Sequence, residues 1–158
     1  MNCVSKLGLA VCCSLAMASV SMAQSGPQSP QQQAEQAVKL RKAVFDVQSF
    51  SFGPVVGMLK GGPFSAAAAV TAGERIEMTS SMIPEVFKFD TSKFNVKTRA
   101  RTGIWTNMAD FVNDAQNLHD AAENLVAAAK TGDKPMTMQA AVQVGKACGK
   151  CHDSYRLK

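Results

Sequence analysis

From about Gln31 the positions Ala34, Val38, Arg41, Phe45, Gln48, Phe52, Val56 and Leu59 follow one another in steps of three or four. That period predicts a first amphipathic helix. Pro54 falls inside it and is expected to bend or locally break the helix rather than end it. Gly61-Gly62 ends it, and Pro63 suits the first turn of a second helix to about Met82, with Phe64, Ala68, Ala72, Ile76, Thr79 and Ile83 on its softer apolar face. The alanines 66–69 favour helix and permit close approach of a neighbour, whereas Gly73 weakens it by about 1 kcal/mol relative to alanine. After Pro84, residues 85–103 show no sustained period and read as a long connection that packs Phe87, Phe89 and Phe94 on the helices.

A third helix has the clearest stripe: Ile104, Met108, Phe111, Ala115, Leu118, Ala122, Leu125 and Ala129, with Asp110, Asn113, Asp114, Asp120 and Glu123 mostly off it. Lys130 and Gly132 close it. Pro135 opens a fourth helix with Met138, Ala141 or Val142, Gly145, Cys148, His152 and Tyr155 on one face. No β alternation of useful length occurs. The chain is therefore read as all-α, an antiparallel four-helix bundle.

Composition adds an address. Lys6, the apolar and small residues Leu7 to Val20, and Ser21-Met22-Ala23 read as a secretory signal over residues 1–23, leaving 24–158 as one domain. The run is too short and too rich in Ser and Ala for a membrane anchor. Cleavage removes Cys3, Cys12 and Cys13, so the mature chain keeps only Cys148 and Cys151. It also leaves 16 Lys and Arg against 12 Asp and Glu, with no long basic run, so nucleic acid is not indicated.

The candidate chemistry is Cys148-Gly149-Lys150-Cys151-His152. C-x-x-C-H is the attachment signature of a c-type haem, in which two thiols join the macrocycle and the histidine binds iron. On a helix all three side chains share a face, which places the cofactor in the bundle core against the first helix. A thioredoxin-like pair expects a βαβ context. A zinc site needs four ligands, and the only other histidine is His119, read as a surface or boundary residue. A disulfide leaves His152 unexplained. Gly145 and Ala147 are small enough to let the fourth helix lie close to a haem, or are ordinary helix fillers.

Together, Cys148 to Arg156, the Ala37–Phe45 segment, the Gly/Pro elements of residues 60–63 and Ile104-Trp105 resemble the cytochrome c′ family, the class II c-type cytochromes, over essentially the whole mature chain. Cytochrome c′ is itself a standard example of the four-helix bundle, so the fold follows from the resemblance as well as from the period. The resemblance implies a periplasmic homodimer of four-helix bundles, joined mainly through the first two helices. Each subunit carries one covalent haem c, with His152 as the only protein ligand to five-coordinate iron. It gives Phe45 the guard position over the open sixth site, Arg41 a haem propionate, and Arg156 the proximal side; Trp105 and Phe87 pack near the haem or in plain core. The function implied is binding of small diatomic gases, nitric oxide and carbon monoxide, or electron transfer with an unspecified redox partner. The alternative is a purely electron-transferring, six-coordinate cytochrome; relatives of that kind place a methionine in the first helix, and none lies between Ala34 and Gly57. An enzyme, such as a weak peroxidase or nitric-oxide reductase, is less expected, because the distal side as read holds Phe45 and no acid or base positioned to assist O–O cleavage.

Overall fold

The computed structural model describes residues 27–158; the secretory signal expected over residues 1–23 lies outside the described residues. Four long helices, α1 (Pro30–Leu59), α2 (Ala66–Ser81), α5 (Met108–Lys130) and α6 (Lys134–Tyr155), form the antiparallel bundle, and the short α3 (Ile83–Val86) and α4 (Gly103–Thr106) lie in the long connection. Among the described residues the β pairing is a single antiparallel bridge between Ala100 and Arg156.

Local chemistry sets the helix ends. Ser29 caps α1 reciprocally: its hydroxyl accepts from the Gln32 N–H, and its own N–H donates to the Gln32 side chain at 2.8 Å. α1 continues through Pro54 without the expected break. The missing N–H leaves the Phe50 carbonyl without its helical partner, but Phe50 is 75% exposed, so water can reach that carbonyl. α2 starts three residues later than Pro63 suggests, because the Ser65 hydroxyl accepts from the Ala68 N–H and fixes the cap there. The third stretch is not one helix. Asn107 leaves helical geometry at φ −134°, ψ 49°, which separates α4 from α5. Asp133 caps α6 and places Pro135 in its first turn.

The core is built on α5, which packs along α2 on one side and α6 on the other. Ile76, Phe111, Leu118, Leu125, Ala141 and Val144 are buried in it. Ala69 and Ala72 are also covered there, within the chain. Gly73 permits the α2–α5 approach. A Cβ at this position would stand 2.6 Å from Val126 Cγ2 and 3.1 Å from the Ala122 carbonyl oxygen. The helix propensity lost at this glycine is thus offset by closer packing, which a single helix's sequence cannot reveal.

On α1 the buried stripe drifts. It follows Ala34, Val38 and Arg41 as expected, then Val44, Ser51, Val55 and Met58 instead of Phe45, Phe52, Val56 and Leu59. The drift turns Phe45 and Phe52 partly out of the core and toward the gap between α1 and α6. These two helices touch only sparsely, which leaves room between them.

Candidate functional site

That room is a cavity of about 470 Å³ with one wall from α1 and the other from α6. On α6 the wall consists of Cys148, Cys151, His152 and Tyr155, spaced by three and four so that one helical face carries them all. Both thiols are free. Burial pushes the Cys148 thiol above its ordinary range. It pushes Cys151 up to about 11, with help from the charge of Asp114. Burial also lowers His152, and the neighbouring Arg156 adds to this. The imidazole is thereby held neutral, the form that offers a lone pair to a metal. Gly145 is exposed and a Cβ there would meet nothing, so it serves no close approach to the cavity. Ala147 is half-buried against the core.

The opposite wall comes from α1. Phe45 is half-buried and meets Phe87 edge-on, with ring centroids 6.2 Å apart. Phe52 and Gln48 line the same wall. The Gln48 Nε2 is buried without a hydrogen-bond partner among the described residues. Arg41 lines the cavity but is only 3% exposed. Its Nε donates to the Val86 carbonyl at 2.9 Å, Nη1 to the Thr91 hydroxyl at 2.8 Å and Nη2 to the Phe89 carbonyl at 2.6 Å. Its guanidinium also lies 4.4 Å from the Phe87 ring centroid and 5.2 Å from that of Trp105. Burial lowers its pKa to about 10, which still leaves it charged at neutral pH. Three of its five N–H donors are thus engaged, and two remain.

Phe87, Phe111 and Tyr155 close the apolar interior. Trp105 stands behind Phe87, donating from Nε1 to the Phe87 carbonyl at 2.9 Å. Arg156 is not on the helical face of His152. It is the cap after α6, in extended geometry, and the bridge to Ala100 directs the chain back along residues 98–101. It still lines the cavity, together with Lys42 and Arg99. The result is a slot with aromatic walls, two thiols and an imidazole on one side, and cations around it. That donor set suits a flat, apolar, metal-bearing cofactor with acidic substituents.

A second group lies behind α6. Asp114, expected off the apolar stripe, is 2% exposed, with Oδ1 2.8 Å from Lys150 Nζ. Tyr155 donates its hydroxyl hydrogen to Asp110 Oδ2 at 2.7 Å. The four-residue spacing of Asp110 and Asp114 is the one sequence signal for this arrangement, but which side of α5 faces α6 is a tertiary matter. His119 sits partly exposed in a more open groove between α2 and α5, away from the thiols.

Known proteins share this architecture. The family model described as cytochrome C′ matches residues 36–156. The cytochrome c′ of Cereibacter sphaeroides is 34% identical over 128 residues, which are 79% of this chain and 85% of that protein. The solved cytochrome c prime from Shewanella frigidimarina superposes with a TM-score of 0.73 at 33% identity, covering 79% of this chain and 97% of that one. A nitric oxide complex of a cytochrome c prime variant from Alcaligenes xylosoxidans superposes with a TM-score of 0.69 at 32% identity, over 79% and 97%.

Proposed function

Because the chain belongs to the cytochrome c′ family, whose cofactor is covalently attached haem c, we propose that it is an exported haem protein that binds diatomic gases at an open iron site. The supporting observation is the asymmetry of the cavity: α6 brings two thiols and an imidazole, whereas α1 brings Phe45, Phe52 and Gln48, with no methionine or histidine. Met58 is buried in the core rather than lining the cavity.

In this reading Cys148 and Cys151 would tether the cofactor, His152 would be its protein ligand to iron, and the aromatic walls would exclude water. Arg41, with its two remaining donors, and Arg156 face the acidic substituents. When bound, haem c would supply a redox-active iron able to take up a small gas. Phe45 would guard that site from α1. Nitric oxide occupies the Alcaligenes xylosoxidans relative, and the same ligand class is proposed here. Neither Phe45 nor Gln48 is an acid or base, and Asp46, which also lines the cavity, is exposed to solvent, so a binding role is preferred to an enzymatic one.

The test is an absorption spectrum of the ferric and ferrous protein with and without carbon monoxide. A five-coordinate ferrous spectrum that shifts on adding the gas is expected. A six-coordinate low-spin spectrum indifferent to it would instead assign a plain electron carrier.

Export and assembly complete the proposal: residues 1–23 form a cleaved leader to the periplasm, and residues 24–158 the bundle. No helix among the described residues is long and apolar enough to cross a membrane. For a homodimer, Ala69 and Ala72 are already covered by the chain itself. The outer face of α1 is the better surface, because Leu40, Val47 and Phe50 are exposed at helical spacing. Sedimentation equilibrium at micromolar concentration is expected to give a dimer mass for the parent and a monomer mass for Phe50→Glu. A parent of monomer mass would reject the dimer.

A further inference from the structure

We propose that Asp114 and Lys150 form a charge pair that positions the haem-binding turn and sets the reduction potential of its iron, with the buried carboxylate favouring the ferric state. This rests on the reading that Cys148, Cys151 and His152 hold haem c.

Lys150 is one of the two spacer residues between the thiols, and its side chain leaves the cavity face to reach α5. There Nζ lies 2.8 Å from Asp114 Oδ1. The carboxylate is 2% exposed, and neither of its oxygens has an aligned hydrogen-bond donor among the described residues, so the Lys150 contact is an ion pair. One turn earlier Asp110 accepts from the Tyr155 hydroxyl. Two carboxylates of α5 thus grip α6 on either side of Cys151 and His152, which fixes the rotation of that helix about its axis.

A neutral hydrogen bond could do the same anchoring without the cost of burying a charge. What the charge adds is reach, because a field decays slowly where water is excluded. The pair is also asymmetric. The Lys150 side chain is 62% exposed, so solvent and salt screen it, while Asp114 is shielded from both. The net contribution of this pair to the field at the cavity is therefore negative. A negative field favours the oxidised iron, which carries one more positive charge.

The test is spectroelectrochemical titration of the holoprotein, with covalent haem checked in parallel by haem staining. At a fixed solution potential Asp114→Asn is expected to lower the ferric-to-ferrous ratio by about tenfold, which is ~59 mV for one electron. Lys150→Met shifts the ratio the other way and by less, and Lys150→Arg leaves it at the parent value. Asp120→Asn, an exposed carboxylate on the same helix, also leaves it unchanged. Asp114→Asn with full covalent haem and the parent potential overturns the proposal. Should that variant yield no holoprotein, Lys150→Met decides, since its side chain is exposed and tolerates replacement; an unmoved potential there overturns it equally. A parent chain without covalent haem would instead mean that the underlying reading has failed.

Discussion

A chain carrying both Cys148→Ser and Cys151→Ser is expected to leave no haem stain on its band after denaturing electrophoresis, whereas the parent band stains. Both thiols lie on the α6 wall of the cavity, next to His152. In the proposed role each would form a thioether by adding its S–H across a vinyl double bond, with no leaving group and no oxidant. Once both are serine, the chain holds the cofactor only through His152 and the aromatic walls, and denaturation releases it. Either single variant keeps one thioether and is expected to retain a stain. His152→Ala is expected to keep the stain, because both tethers remain, but to change the spectrum through loss of the axial nitrogen. A stained double variant would show that the cofactor is held by something other than these sulfurs.

The parts of the molecule visible beforehand are those that depend on local pattern. The spacing of Cys148, Cys151 and His152 places them on one face whatever the helix packs against, and the four long helices follow from apolar period. The errors share a different cause. The Asn107 break, the later start of α2 and the drift on α1 each depend on a single cap or on a neighbour. Ser65 wins the α2 start because its hydroxyl satisfies an orphan N–H that Pro63 cannot serve. Gly73 reads as a weak point within its own helix but is a contact point once Val126 lies opposite.

The α1 wall shows the same limit. Phe45 was legible through position and resemblance, but Gln48 passed as one more step of a helical stripe. Its side chain lines the cavity with a buried amide nitrogen that lacks a partner among the described residues. The resemblance puts Arg41 at a haem propionate. It lines the cavity, yet it also joins α1 to residues 86–91 through three hydrogen bonds. Those partners come from the segment without period, where sequence pattern carries no information about contacts.

Phe45→Ala is expected to raise both the association rate and the affinity for carbon monoxide by about tenfold, equivalent to ~1.4 kcal/mol. The ring projects from α1 into the cavity opposite the α6 wall that carries His152. A phenyl group cannot bind iron, and it fills space that an incoming gas must occupy. Binding therefore includes the cost of displacing the ring from its edge-on contact with Phe87. Alanine removes that cost before the gas arrives, so access and affinity improve together. Phe45→Leu should fall between parent and alanine, because its side chain is smaller but still apolar. The stability cost should be about 1–2 kcal/mol, less than the 3–5 kcal/mol of a fully buried phenylalanine, because this ring is only half-buried. Flash photolysis of the carbon monoxide complex measures the rates, and urea denaturation measures the stability. A variant that loses stability while keeping the parent's carbon monoxide kinetics and spectrum would make Phe45 a packing residue and remove it from the gas path.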